Sequence, residues 1–294
     1  MHSDYSLDEV IITGSRAPLT RGQAARMVTV LEQKDIQTAP VQSINDLLKY
    51  AASVDVRQRG PIGAQTDISI RGGNYEQITI LLNGINICDP QTGHNAFDFP
   101  VDINDIERIE VLEGPAGRVF GTSSLLGAIN IVTKQPTQNH VSAHAEAGSY
   151  GYFNGGASVG LVSGKWANSI SGNYTRSDGY NRNKAGRLNT DFEGAKAFYQ
   201  GSYVDQNTKV SWHAGLSMRD FGSNTFYGTG SDDQFEHTFK SYTALKADTK
   251  CGALHLSPSV YWNRNMDRFE YFRGLDNVCL LYTSPSPRDY AASR

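Results

Sequence analysis

From His140 onward the chain is written in segments of about ten residues whose apolar and polar side chains alternate. Val210, Trp212, Ala214, Leu216 and Met218 fall on one face of an extended strand, and Ser211, His213, Gly215, Ser217 and Arg219 on the other. Leu254, Leu256, Val260 and Trp262 oppose His255, Ser257, Ser259 and Asn263 in the same way. A period of two is the signature of a strand. Repetition of one greasy face and one wet face, segment after segment, fits a sheet between oil and water. No run of 18 apolar residues is present, which excludes a transmembrane helix. A mean hydropathy of -0.43 does not exclude a membrane barrel, because alternating strands average out polar.

The connections carry a second constraint. Ser163-Gly164-Lys165, Asp205-Gln206-Asn207 and Lys250-Cys251-Gly252 are short, whereas about Arg176–Gly194 and Asp220–His237 are long and polar. Such alternation matches the periplasmic turns and outer loops of outer-membrane barrels. Seven strands are expected near 141–148, 152–162, 166–175, 196–204, 208–219, 238–249 and 253–264, with an eighth beginning around Asp267. Tyr174, Tyr199, Tyr203, Trp212, Tyr242 and Trp262 are candidates for an interfacial belt, where amphipathic rings favour the headgroup level. Pro258 removes a ladder donor and predicts a bulge or kink.

Composition agrees with β architecture: Gly 29, Tyr 15 and Phe 12 in 294 residues, with only 19% charged. The net charge of -3 argues against a nucleic-acid binder, which would show a basic stripe. Cys88, Cys251 and Cys279 are too scattered for a disulfide framework or a zinc site and read as free thiols. Gly148–Gly156 is not a dinucleotide loop, since no strand and helix flank it. His94, His213, His237 and His255 form no metal-ligand pattern. No nucleophile, base and orienting group converge in a motif, so no enzyme is expected.

Residues 1 to about 137 have a different grammar. Ser43 caps a predicted helix whose apolar residues Ile44, Leu47, Leu48 and Ala51 recur at helical spacing. Met27–Leu31, Asp67–Arg71, Gln77–Leu82, Glu107–Leu112 and Ile129–Thr133 read as short β-branched strands, several bounded by turns such as Gly72-Gly73 and Asn83-Gly84. This half is expected to be a small α+β domain with a mixed sheet. Met1–Asp8 holds no basic stretch followed by an apolar core, so no secretory signal is read there. At the other end, Cys279–Asp289 (CLLYTSPSPRD) resembles the translation of a transposase adapter used in DNA library preparation. Residues 279–294 are therefore expected to be a non-native tail, on a fragment interrupted near Val278.

Several motifs then line up in order. Glu9-Val10-Ile11-Ile12-Thr13-Gly14 resembles the TonB box of TonB-dependent outer-membrane receptors, and Ser43–Leu48 their plug helix. Ile68–Gly72 resembles the plug's Ile-Arg-Gly motif. Leu81-Leu82-Asn83-Gly84 resembles Leu-Ile-Asp-Gly, with Asn for Asp. IERIEVLEGP (Ile106–Pro115), then Phe120-Gly121 and Gly127–Thr133, complete the pattern. The resemblance, to cobalamin-receptor-like members from Bacteroidota in particular, covers about residues 7–278. It implies an N-terminal segment with the TonB box (1–14), an α+β plug domain (15–137) and the first seven or eight antiparallel strands (138–278) of a 22-stranded transmembrane β-barrel. So few strands cannot enclose a plug, since barrel width grows with strand number.

What the resemblance implies for function follows residue by residue. Glu9, Val10, Ile11, Ile12 and Thr13 would couple to periplasmic TonB by adding a strand to its sheet. TonB is energised through ExbB and ExbD. Arg71 would face carboxylates on the barrel wall, in the missing part; an unpaired buried charge is costly. Glu113 stands where relatives often carry Arg, so no plug-to-wall salt bridge is copied onto it. Two Gly/Pro/Asn-rich loops, 59–65 and 86–95, are candidates for contact with the solute, through Gln65, Asp89, Gln91, Thr92, His94 and Asn95. Asp178–Asn183 and Ser231–Asp233 put oxygen donors on outer loops, where cobalamin receptors bind calcium. The spacing is not that of a calcium loop and reads as solvated acids, so no cofactor is expected.

The expected function is TonB-dependent import of a scarce bulky solute, cobalamin or a ferric siderophore, across the outer membrane. Lipid and the solute are partners, a surface lipoprotein is a further candidate, and nucleic acid is not expected. A SusC-like glycan importer is the nearest alternative, although such proteins usually add an N-terminal carboxypeptidase-like domain. From a different class, a soluble β-rich binding or adhesion module predicts that the apolar face of 208–219 packs against a second sheet.

Overall fold

The computed structural model describes residues 11–12, 19–20, 28–58, 66–73, 77–88, 98–114, 126–226, 230–252, 254–275 and 279–283. Two compact units emerge. The first comprises 1–56, 68–88 and 106–133, and the second 57–67, 89–105 and 134–294.

The first unit is built on a five-stranded mixed sheet. Its strands are β3 (Val28–Leu31), β6 (Ile78–Leu82), β7 (Ile85–Asn86), β8 (Ile106–Glu113) and β9 (Gly127–Thr133), in the order β3-β8-β9-β6-β7. β6 runs parallel to β9 and the other pairs are antiparallel. Every residue of β6 is buried, as expected of a strand covered on both faces. Two short strands, β4 (Val54–Gln58) and β5 (Thr66–Ile70), pair with each other. At the N-terminus β1 (Ile11–Ile12) and β2 (Leu19–Thr20) form a two-residue antiparallel ribbon.

Helix α2 (Ile44–Leu48) begins where the sequence predicts. The Asp46 N–H donates to Ser43 Oγ at 3.1 Å, and Ile44, Leu47 and Leu48 turn inward at i, i+3 and i+4. Helix α1 (Gln33–Thr38) escaped the sequence reading because it buries nothing and has no apolar stripe. Its start is fixed locally by a capping box between Glu32 and Asp35.

Asn83 does two jobs at the turn between β6 and β7. It sits at φ 52°, followed by Gly84 at φ 80°, which is the left-handed pair a two-residue hairpin needs. Its side chain then clips β9, donating to Thr133 Oγ1 and accepting from the Thr133 N–H, both at 2.9 Å. The Gly84 N–H donates to Asn130 Oδ1 at 2.9 Å, and the buried Asn130 amide donates to Glu110 Oε2 at 2.8 Å. A single polar seam therefore ties the turn to two strands.

The second unit is an up-and-down antiparallel sheet. β10 (His140–Ala147), β11 (Phe153–Ser163), β12 (Trp166–Ser177), β13 (Phe192–Val204), β14 (Thr208–Asn224), β15 (Gln234–Cys251), β17 (Ser259–Glu270) and β18 (Cys279–Thr283) follow in order, with β16 (Leu254–Leu256) also on β15. Ser257-Pro258 breaks the run between β16 and β17, as a residue without an N–H must. Two expectations are corrected here. Asp267 does not open an eighth strand but lies inside β17, which runs on to Glu270. The eighth strand begins instead at Cys279, inside the tail read as non-native, and pairs with Met266–Glu270. An exposed ladder edge accepts a β-prone run whatever its origin, and Leu-Leu-Tyr is one. Tyr242 is not a belt residue: it is fully buried opposite Gly215 and Asn263.

Polarity is inverted relative to a water-soluble sheet. Asn173, Gln200, Ser202, His213, Ser217, Thr238 and Lys240 are buried, while Val141, Leu161, Ile170, Leu216, Met218, Leu245 and Val260 are exposed. On β14 this separates the two faces read from the sequence: Leu216 is 49% exposed and Ser217 is 0%. The soluble module required the opposite. Trp166, Tyr203, Trp212 and Tyr199 form a connected aromatic group at the short-turn end, and the Trp212 Nε1–H donates to Tyr199 Oη at 3.2 Å. Rings with a polar handle there match an interfacial belt.

Asn83→Ala is expected to destabilise the first unit by about 2–3 kcal/mol, from lost hydrogen bonds and a Cβ-bearing residue held left-handed without compensation. Asn83→Gly relieves the backbone term alone and should fall in between. Hydrogen exchange at β6 and β9 in the complete receptor measures the series, and equal losses for both variants would refute it.

Candidate functional site

The segment 98–105 is folded by its own sequence into a compact bend. Its Asp102 carboxylate accepts the Asn104 N–H at 2.9 Å, and a 3-10 turn over Ile103–Asp105 is closed by the Asp105 N–H donating to the Asp102 carbonyl at 3.1 Å. This bend presents Asp98, Asp102 and Asp105 to the polar face of the strand sheet, within the second unit.

Strand register assembles the receiving groups. Lys196 stands opposite Ser217, Ser217 opposite Lys240, and Lys240 opposite Asn265, a row across β13, β14, β15 and β17. Two residues along, on the same face, Arg219 stands opposite Thr238 and Thr238 opposite Asp267. Asp98, 3% exposed, sits on this patch. Ser217 Oγ donates to Asp98 Oδ1 at 2.9 Å, Thr238 Oγ1 donates to Oδ2 at 3.5 Å, and Arg219 Nη1 is 3.7 Å from Oδ1. Lys196 Nζ donates to the Val101 carbonyl at 3.4 Å. Ser171 Oγ donates to Asp105 Oδ2 at 2.6 Å, and Lys134 Nζ donates to the Asn104 carbonyl at 2.8 Å.

The two carboxyls respond in opposite directions. Burial pushes Asp98 up, but Arg219, Lys196 and Lys240 together with the Ser217 hydroxyl outweigh it and hold the group below the usual carboxylate range. Burial also dominates at Asp105, where the Ser171 bond is too little to offset it with Asp102 adjacent; that carboxyl is raised.

None of Asp98, Lys196, Arg219 and Lys240 was singled out as a site residue in the sequence. Charged residues at wet-face positions of strands, as Arg219 is in the 210–219 alternation, were the available signal. Of the residues that were singled out, Arg71 is described: Arg71 Nε donates to Glu113 Oε2 at 2.8 Å, with Nη2 at 2.6 Å. Its partner among the described residues is thus an acid of its own unit. Ile11 and Ile12 pair with Thr20 and Leu19. Glu9, Val10, Thr13, Gln65, Asp89, Gln91, Thr92, His94 and Asn95 lie outside the described residues.

The outer-loop acids are engaged by the loops themselves, Asp178 within its own loop and Asp232 and Asp233 by the loop that carries Lys184 and Arg187. Asp178 pairs with Arg176 at 2.8 Å and Asp233 with Arg187 at 3.1 Å, while the Lys184 N–H donates to Asp232 at 2.6 Å. Arg273 grips Asp191 with two bonds of 2.7 and 2.8 Å and lies 4.4 Å from the centre of the Phe235 ring.

Asp98 carries a sign for pH. Its folded pKa lies below the unfolded value of about 3.9, so its contribution is complete above that value and is lost as pH falls through the folded pKa. Exchange protection of 98–105 is expected to persist down to about pH 4 and to fail below it; in Asp98→Asn that acid step should vanish.

Against known proteins, residues 21–128 match the family model described as the TonB-dependent Receptor Plug Domain. The vitamin B12 transporter BtuB of Vibrio vulnificus (strain CMCP6) is 25% identical over an alignment of 284 residues that covers 92% of this chain and 44% of that protein. Among solved structures, the copper transporter OprC is similar at a TM-score of 0.66 and 18% identity, covering 85% of this chain and 39% of the other. The siderophore receptor PirA from Acinetobacter baumannii gives 0.65 at 19% identity, covering 83% and 40%. The chain spans less than half the length of these relatives. Residues 21–128 thus match a TonB-dependent receptor plug domain, and the antiparallel strands after them have the fold of the solved transporter and receptor structures they resemble.

Proposed function

We propose that this chain is the plug and first barrel strands of a receptor that imports a scarce, bulky solute across the bacterial outer membrane, using energy delivered by TonB with ExbB and ExbD. The observation that carries the reading is a plug-domain sequence followed by strands whose apolar face is exposed and whose polar face is buried. Such strands cannot rest in water, and in lipid they have every reason to persist. Cobalamin or a ferric siderophore is the solute class we favour: a relative across most of the chain is a vitamin B12 transporter, and a structural neighbour is a siderophore receptor. Import of this kind binds and moves its cargo with no bond made or broken.

In this reading residues 1–14 carry the TonB-coupling segment, 15–137 the plug, 138–278 barrel wall, and 279–294 a non-native tail. Glu9, Val10, Ile11, Ile12 and Thr13 supply the strand that TonB takes up. A ribbon of two residues per strand is marginal by itself, so exchanging Leu19–Thr20 for a partner's sheet edge costs little. Gln65, Asp89, Gln91, Thr92, His94 and Asn95 supply solute contacts from plug loops. Arg71 steadies the plug.

Two outcomes are expected in the complete receptor. Ile12→Pro removes a ladder donor and should abolish TonB-dependent uptake of labelled cobalamin or ferric siderophore while equilibrium binding to whole cells is retained; uptake that survives both this variant and loss of TonB would overturn the import reading. Leu216→Arg places a charge on the lipid face and should cost about 2–4 kcal/mol near mid-depth, read as reduced insertion into vesicles, whereas Ser217→Ala on the opposite face leaves insertion unchanged.

A further inference from the structure

We infer that Arg264, on the lipid-facing side of the strand wall, is the docking point for an anionic, phosphate-bearing lipid of the surrounding leaflet. This rests on the reading of these strands as a membrane barrel and adds a lipid partner to it.

Alternation along β17 puts Arg264 on the face of Val260 and Trp262, which are 64% and 40% exposed. Register gives the same face: Arg264 stands opposite Ser241 on β15, and Ser241 opposite Leu216 on β14. Leu216 is one of the exposed apolar residues that define the lipid side. Arg264 is exposed as well, with Trp262 and Met266 as its neighbours on the same face of the strand. A charged side chain among residues suited to hydrocarbon is rare and points to a partner.

That partner is not a protein acid among the described residues. The other strand bases on this face each have one: Arg268 Nε donates to Glu270 Oε1 at 3.0 Å, Arg176 Nη2 donates to Asp178 Oδ1 at 2.8 Å, and His237 Nδ1 is hydrogen-bonded to Asp220. Glu193, the remaining strand acid on this face, accepts the Tyr174 hydroxyl at 2.9 Å and lies three strands away from β17. Arg264 makes no hydrogen bond or ion pair with any described residue. Depth favours a lipid head group. Arg268 lies four residues nearer the long loops, about 13 Å along the strand and no more than about 10 Å in depth at the usual barrel tilt. A long cationic side chain spans much of that by snorkelling. A head-group phosphate meets the guanidinium with two oxygens in one plane, the pairing for which that fork is shaped. A soluble anion would have to shed its water among Trp262, Val260 and Leu216, whereas a lipid phosphate is held beside them by its own acyl chains.

Lipid titration of the purified complete receptor, read by native mass spectrometry, is the test. The probes are phosphatidylglycerol, a galactolipid of the same acyl chains that has no phosphate, and inorganic phosphate. Wild type is expected to bind phosphatidylglycerol about tenfold more tightly than the galactolipid, the worth of one charge-assisted hydrogen bond. Arg264→Gln should bind the two lipids alike. Arg264→Leu, which suits the lipid face and guards against a folding defect in the first variant, should do the same. Absence of a preference in wild type, or a preference that survives both variants, overturns the inference. So does displacement of phosphatidylglycerol by inorganic phosphate, which marks a soluble-anion site, or a dimer that Arg264→Leu dissociates, which marks a second copy as the occupant. The titration needs neither cargo nor TonB, so its failure leaves the import reading standing; a complete receptor that stays in the aqueous fraction without detergent would instead remove the barrel reading itself.

Discussion

Backbone hydrogen bonding in the absence of water is the constraint on which this structure depends. A strand in hydrocarbon must find every partner in its neighbours, which only a continuous ladder provides. The sheet from His140 to Thr283 is such a ladder, with unbroken registers of eight to thirteen pairs through β10–β14. Once the ladder holds the backbone, the side chains are free to be sorted by solvent. They are sorted in the inverse of the soluble order, Leu216 and Ile170 out, Gln200 and Lys240 in.

The inverted sheet in turn creates an electrostatic problem that the bend at 98–105 resolves. Lys196, Arg219 and Lys240 face the buried side of the sheet, where an unpaired cation is costly. Asp98 supplies the counter-charge from a segment far away in sequence, which is why its carboxyl stays ionised despite deep burial. The plug sheet solves its own polar burdens differently, by short-range closure: Asn83, Thr133, Asn130 and Glu110 satisfy one another across adjacent strands.

Legibility followed the physics of each element. Strands such as β14 were readable because period two is a local property, and Ser43 announced α2 because capping is local too. Tyr242 was misassigned because β15 is mixed on both faces: Lys240 and Ala244 accompany it on one, Ser241, Thr243 and Leu245 the other, so only the register against Gly215 and Asn263 assigns its side. Helix α1 was missed for want of an apolar stripe. Nothing local to Asp98 distinguishes it from any other acid before a proline turn.

By itself, then, the sequence determined where the strands run, which of their faces is greasy, where turns with positive φ fall at Asn83-Gly84, and that the plug motifs precede the barrel strands. These depend on neighbours within a few positions. Only the tertiary structure decided which charges meet: that Arg71 is answered by Glu113 and that Asp98 lies among Lys196, Arg219 and Lys240. Ion pairs between residues 42 to over 100 positions apart are fixed by chain topology and strand register, which no local pattern encodes.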